Sequence, residues 1–135
     1  MSAAPALRLA GYAALFDVAD GARDTIRRGA FARTLRERRE PLPLCWQHRS
    51  DQRIGTVESI REDDRGLRVI ARVDDLRSRA CQLLRQGALS GLSFGYHTRA
   101  CRHLPQGRML DDIELLEVSL VLHPLQPRAR VHMLR

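Results

Sequence analysis

Ser93 stands between two glycines in residues 91–95, GLSFG, and its hydroxyl is a candidate nucleophile. The segment meets the Gly-x-Ser-x-Gly pattern of hydrolases, but that pattern requires a strand, a sharp turn and then a helix. Phe94 and Tyr96 instead continue the alternation of a strand. Two interpretations stay open: a nucleophile on a rigid strand, where glycine lets substrate backbone approach closely, or a structural serine between glycines.

His48 and Glu117 could provide the acid–base chemistry that a nucleophilic serine needs. His48 follows the apolar residues 43–47, so its ring could reach a cleft from a strand, accept the serine proton and return it to a leaving amine. Glu117 lies in the apolar residues 115–121, LLEVSLV, where a buried carboxylate requires a cationic or hydrogen-bonding partner such as a histidine. The alternatives are a histidine bonded to the following turn and a glutamate that faces water or pairs with an arginine.

The three cysteines offer a thiol or metal alternative. Cys45 precedes His48 by three residues, which predicts opposite faces of a regular strand and argues against a direct Cys–His pair. Cys81 lies in a helical pattern and is predicted to be core. Cys101 has two histidines nearby, but so few ligands in one hairpin do not make a closed zinc site. We therefore predict reduced thiols, no metal and no cofactor.

Hydrophobic patterning predicts the elements that must position these residues. Strands are predicted at 7–16, 42–48, 53–60, 66–73, 92–99, 113–122 and 130–134, and helices at 29–39 and 76–86. Gly11 predicts a bulge or a close backbone approach in the first strand. The fold class predicted is α+β, mainly β: a small, mostly antiparallel β-barrel with appended helices, as a single domain over residues 1–135.

Composition narrows the functional classes. Hydrophobic residues make up 44% of the 135 residues, enough for one core, but no apolar run reaches the length needed to cross a bilayer. The start of the chain lacks a secretory signal. All 23 basic residues are arginine and the net charge is +7, yet these arginines are scattered and accompany no nucleic-acid reading motif. The sequence predicts only non-specific attraction to nucleic acid.

Four blocks in order resemble the prohead proteases of the HK97 type, which are found in tailed phages and gene transfer agents. Residues 11–16 and 24–31 resemble the family's opening, and residues 44–48 with 54–57 resemble its histidine block. Residues 87–96 resemble its serine block. Residues 117–121, followed by prolines at 124 and 127, resemble its last block. Each block alone is a weak signal. Four blocks in this order and at similar spacing are a more specific one, and together they cover nearly the whole chain.

The resemblance implies a serine protease with a fold similar to herpesvirus assemblin, a β-barrel surrounded by helices. Ser93 matches the nucleophile and His48 the general base. In the phage pattern the third catalytic residue is a glutamate in the last block, which corresponds to Glu117 here. The family cleaves the scaffold segment from the major capsid protein inside the immature shell.

Two further assignments depend on the resemblance alone. Assemblin-type enzymes use a second histidine as the third member, for which His97 and His123 are the alternatives to Glu117. An arginine-bearing loop after the last catalytic strand contributes to oxyanion stabilisation in those enzymes, and Arg128 is its counterpart. The sequence also ends at Arg135 without the long tail that tethers many such proteases to their shell, which suits a separately expressed, diffusing protease.

The leading hypothesis is a capsid-maturation serine endopeptidase, acting in assembling proheads in the host bacterial cytoplasm. Its partners would be the major capsid protein and its scaffold segment, with a homodimer possible and no membrane. A second hypothesis is a catalytically inactive barrel that binds capsid or scaffold as an assembly factor. A third is a basic nucleic-acid-associated protein, which would show steep salt dependence of binding.

Overall fold

Strands dominate residues 5–135, the part of the chain that the computed structural model describes. The first four residues of the predicted domain lie outside the described residues. The elements are β1 (Leu7–Leu15), β2 (Asp24–Ile26), α1 (Ala32–Glu37), β3 (Pro43–Trp46), β4 (Arg49–Glu62), β5 (Gly66–Val73), α2 (Arg79–Arg85), β6 (Gly91–Leu104), β7 (Gly107–Val121) and β8 (Val131–Leu134).

The predicted elements are present, with differences at their ends. Both helices are shorter than their patterns, with six residues in α1 and seven in α2. β6 and β7 are longer than predicted, because they extend as a hairpin past the core. β2 was not predicted as a strand. Its three residues form one because β7 offers a parallel edge, with Asp24 opposite Arg108.

β7 is the strand around which the others are arranged. β6 pairs with it in antiparallel register along one edge, while β2 and β3 pair with it in parallel at opposite ends of the other edge. α1 lies in the gap between β2 and β3. There Leu115 N–H donates to Thr34 Oγ1 at 3.1 Å, and Ile113 N–H donates to the Ala30 carbonyl at 3.0 Å. These bonds satisfy β7 backbone groups that no strand reaches.

The sheet is mixed and curled. Its strand order is β2-β7-β3-β4-β5-β1-β8, with β6 on the free edge of β7. Phe16, just after β1, bridges to Ile26 of β2, so the two sides of the sheet meet. Among the pairings between two named strands, all but β2·β7 and β3·β7 are antiparallel. The predicted fold class, mainly β with a mostly antiparallel, barrel-like sheet and appended helices, is confirmed.

Gly11 marks a close approach, as predicted. A Cβ at this position would overlap the carbonyl oxygen of Arg130, and the β1–β8 register shifts between Ala10 and Gly11. Glycine is therefore required where β8 begins to pair with β1.

Membrane insertion by a helix finds no support in the fold. Within residues 5–135, neither helix is long and apolar enough to span a bilayer.

Phe31 joins the helical layer to the sheet at the centre of the core. Its side chain is fully buried, and its ring centroid lies 6.3 Å from that of Phe16 and 5.3 Å from that of Phe94 in an edge-to-face arrangement. Phe94 is the chain neighbour of Ser93. The packing of Phe31 therefore supports the strand that carries the serine.

Phe31→Ala should lower the free energy of unfolding by about 3–5 kcal/mol, because a large cavity would remain between α1 and the sheet. Denaturant unfolding followed by circular dichroism measures the change. Leu122→Ala is the control, because this side chain is 43% exposed and its loss should change stability by less than about 0.5 kcal/mol. Equal effects of the two substitutions would contradict the placement of Phe31.

Candidate active site

The pairing of β3, β7 and β6 brings three distant parts of the sequence side by side. Cys45 of β3 pairs with Ser119 of β7, and Ser119 pairs with Ser93 of β6. Two residues earlier in β7, Glu117 lies opposite Gly95. Backbone hydrogen bonding across three adjacent strands therefore fixes the lateral position of the serine and the glutamate.

His48 lies in the tight turn that joins β3 to β4, two residues beyond the end of β3, although the strand was predicted to continue to residue 48. Gln47 and His48 are its two central residues, and both have positive φ, 51° and 62°. This is the backbone of a type I′ hairpin turn, which normally uses glycine or asparagine. Gln47 is held there because its N–H donates to the Leu120 carbonyl at 3.0 Å and its Oε1 accepts from Leu122 N–H at 3.1 Å.

The partner of the buried Glu117 carboxylate is His48. His48 Nδ1 lies 2.6 Å from Glu117 Oε1, and the glutamate side chain is only 11% exposed whereas the histidine side chain is 41% exposed. The alternatives in which Glu117 faces water or pairs with an arginine are wrong. Because a carboxylate can only accept, Nδ1 carries the proton and Nε2 is left free to accept another in the neutral ring.

Ser119 completes a network that the sequence analysis missed. Its hydroxyl donates to Glu117 Oε2 at 2.5 Å and accepts from the backbone N–H of His48 at 3.1 Å. The side chain is fully buried. Ser119 thereby fixes both the carboxylate and the strained turn that carries the imidazole. Its position two residues after Glu117, on the same face of a strand, was the available signal.

Gly95 leaves the space that the carboxylate occupies. A Cβ at this position would overlap Glu117 Oε1, the atom that contacts His48. A residue with a side chain on this part of β6 would push the glutamate away from the histidine. The second glycine of GLSFG is therefore explained by Glu117, its opposite residue on β7.

A cleft of about 530 Å³ brings the three predicted catalytic residues together. Ser93, His48 and Glu117 all line it, and Ser93 lies within strand β6, as the alternation predicted. Leu116 and Leu125, which are 43% and 52% exposed, contribute apolar walls. This arrangement can hold an extended apolar chain beside a serine hydroxyl and a histidine.

Cys45 lines the same cleft but is poorly suited to nucleophilic chemistry. The argument that places it on the face opposite His48 fails, because His48 lies in a turn and not on a regular strand. Burial raises the pKa of the Cys45 thiol, and the nearby Glu117 carboxylate raises it further. The thiol is therefore kept protonated, and a thiolate is the form that reacts. Across residues 5–135, no three His, Cys, Asp or Glu side chains form a group able to hold a metal ion.

The remaining predicted site residues do not line the cleft. His97 and His123, the alternatives for the third member, are exposed and stand apart from it. Arg128 is also exposed, and it lines a different groove. The loop that contains Arg128 nevertheless passes beside Ser93, because Gln126 and Ala129 line a small hollow next to the serine.

Comparisons with known proteins show the family of the chain. The family model described as Caudovirus prohead serine protease matches residues 2–135. The prohead protease of Enterobacteria phage HK97 is 27% identical over 128 residues, which cover 90% of this chain and 57% of that protein. The chain thus spans a little over half the length of this relative.

Three solved structures resemble the fold. The bacteriophage T4 capsid assembly protease has a TM-score of 0.68 at 13% identity, over 87% of this chain and 82% of that one. A KSHV protease in complex with a hexapeptide phosphonate inhibitor gives 0.63 at 14% identity, over 94% and 64%. The varicella-zoster virus protease gives 0.62 at 20% identity, over 95% and 64%. With the family match over nearly its whole length, the chain belongs to the caudovirus prohead serine proteases.

Proposed function

We propose that this chain is a serine endopeptidase that removes the scaffold segment of the major capsid protein during prohead maturation, inside the assembling shell. The observation that carries the proposal is the His48–Glu117 pair, bonded at 2.6 Å, in the cleft that Ser93 lines. A buried carboxylate that orients a half-exposed imidazole beside a serine is the arrangement that acyl transfer requires. The family match supports the same activity.

In the proposed reaction, Ser93 Oγ attacks the peptide carbonyl while His48 Nε2 accepts its proton. The tetrahedral intermediate collapses when His48 returns that proton to the leaving amine, which breaks the C–N bond and leaves an acyl-enzyme. Water, deprotonated by His48, then releases the acid and restores the serine. Glu117 keeps the proton on Nδ1 and stabilises the charged ring that forms in each step.

The developing oxyanion needs donors beside Ser93. Arg128 stays our prediction for this role. Because this residue lines the other groove and not the cleft, we propose that it acts through its backbone N–H. The loop position supports this, because Gln126 and Ala129 lie at the serine. One correctly placed donor contributes about 3 kcal/mol to transition-state stabilisation.

Ser93→Ala should abolish cleavage of the cognate capsid protein, because no other group in the proposal attacks the carbonyl. We expect a rate loss of at least about 10⁴-fold. The measurement is the intact mass of the capsid protein after co-expression with this chain. Labelling by a fluorophosphonate probe measures the reactivity of Ser93 without any substrate.

Ser50→Ala is the matched control, since Ser50 lines the same cleft and has no assigned role. This variant should cleave the capsid protein and take the label like the unaltered chain. Capsid protein left at full length by the unaltered chain, with no label on Ser93, would support the inactive assembly factor in place of the protease.

Glu117→Gln should lower kcat by about 10²- to 10⁴-fold, because an amide can donate to Nδ1 and favour the wrong tautomer of His48. Peptide hydrolysis by active-site-titrated protein measures the loss. Glu114→Gln is the control on the same strand, where the carboxylate pairs with Arg99 outside the cleft, and it should stay near full activity. Equal activity of the two variants would remove Glu117 from the mechanism.

Ser119→Ala should lower kcat by about 10²-fold with little change in KM, because a displaced imidazole slows chemistry while the cleft walls remain. The buried Glu117 carboxylate would lose the Ser119 hydroxyl as a donor, and the partly buried His48 N–H would lose its acceptor. The free energy of unfolding should therefore also fall by about 1–3 kcal/mol. Rates are compared per fluorophosphonate-reactive site, which corrects for unfolded protein. An unchanged kcat per reactive site would show that Ser119 is only structural.

A further inference from the structure

A second groove, separate from the cleft, has a rim rich in arginine. Its volume is about 900 Å³, and none of the residues that line it lines the cleft of Ser93. This volume is within the range of ligand-binding sites. Five arginines line it: Arg28, Arg65, Arg68, Arg128 and Arg130. The Arg130 guanidinium also donates to the Pro127 carbonyl and to the Ser90 hydroxyl.

The positive charge of this rim is largely unneutralised. Arg28 pairs with Asp17 at 3.2 Å, but within residues 5–135 the other four rim arginines have no carboxylate within salt-bridge distance. Asp64 is the one acidic residue among those that line the groove, and the Asp63 carboxylate lies next to it, where it accepts from the Tyr12 hydroxyl. On another face, by contrast, Arg102 donates two hydrogen bonds to one carboxylate, at 2.9 and 3.0 Å. The groove therefore concentrates positive potential that salt bridges cancel elsewhere.

The floor of the groove is apolar. Leu15, Phe16 and Val18 line it, and Val18 is 47% exposed. Tyr12 forms a side wall, where its ring centroid lies 6.0 Å from that of His132. An apolar strip between cationic edges is complementary to a chain with alternating apolar and acidic side chains.

We propose that this groove binds an acidic segment of a partner protein, with its apolar side chains on the floor and its carboxylates on the arginine rim. Guanidinium groups suit this partner because they bind carboxylates through two parallel hydrogen bonds. A nucleic-acid strand is the competing occupant, because Tyr12 and His132 offer aromatic surface to a base. The exposed part of the floor is aliphatic, since Val18 is 47% exposed and Phe16 only 5%, and this favours the peptide. The proposal goes beyond the protease activity and does not depend on Ser93 as a nucleophile.

The loop after β7 connects the groove to the cleft. Leu125 lines the cleft, whereas Arg128 and Arg130 line the groove. Between them, Gln126 is buried and fixes the loop to β1, accepting from Leu15 N–H at 2.7 Å and donating to the Leu15 carbonyl at 3.0 Å. A partner held in the groove is therefore kept next to the cleft.

Fluorescence anisotropy with a labelled peptide of alternating leucine and glutamate tests the proposal, in the full chain carrying Ser93→Ala so that the peptide stays intact. Arg65→Glu/Arg68→Glu should weaken binding by at least about tenfold, because two attractions become repulsions. Arg77→Glu/Arg79→Glu changes the net charge equally at exposed positions outside the groove, and should stay within about twofold. Val18→Ser should also weaken binding of the peptide.

Three results would overturn the proposal. The first is equal weakening by the two charge-reversal pairs, which would make the attraction a general effect of net charge. The second is equal affinity for a peptide with glutamine in place of glutamate. The third is a single-stranded DNA probe that binds more tightly than the peptide and depends on Arg65 and Arg68, which would assign the groove to nucleic acid.

Fluorophosphonate labelling separates this inference from the proposed protease. The Arg65→Glu/Arg68→Glu variant that keeps Ser93 should still be labelled at the normal level. Normal labelling would show that its loss of peptide binding is not a loss of fold. Absence of label on the unaltered chain would overturn the protease activity alone, and the binding comparison would still decide the role of the groove.

Discussion

The buried carboxylate of Glu117 is the constraint on which the site depends. Removing a carboxylate from water costs several kcal/mol unless hydrogen bonds replace the lost hydration. His48 Nδ1 and the Ser119 hydroxyl provide those bonds here. Because Ser119 also binds the His48 backbone, the same few contacts hold the left-handed turn at Gln47 and His48. The carboxylate whose burial is costly is therefore also the centre of the hydrogen bonds that hold the turn in place.

Strand register converts this local network into a site. Ser93 and Glu117 sit on neighbouring strands whose backbone bonds run along nearly the whole β6–β7 pair, so their relative position is set by many bonds at once. A shift of one residue would turn Ser93 to the other face of the sheet. Gly95 adds a steric condition, since only glycine leaves room for the carboxylate opposite it. Precision at the site therefore comes from sheet geometry more than from the loops.

The residues that could be predicted from sequence were those whose type conflicts with their surroundings. A glutamate in an apolar strand requires a partner, and a polar turn after an apolar run places His48 at a strand end. β2 could not be predicted, because three residues become a strand only where β7 offers an edge. The Gln47–His48 turn carries no glycine or asparagine to reveal it. Ser119 looks like any small polar strand residue until its partners are known.

The placement of Arg128 at the groove, and not at the cleft, could not be predicted from the sequence. A loop position can be matched to a family, but which way its side chain points depends on what anchors the loop. Here Gln126 is that anchor, since its amide is satisfied by the β1 backbone in a buried position. With the loop fixed in this way, Gln126 and Ala129 lie beside the serine while Arg128 and Arg130 line the basic groove. One segment, anchored to β1 by Gln126, therefore lies between the cleft of Ser93 and the cationic groove.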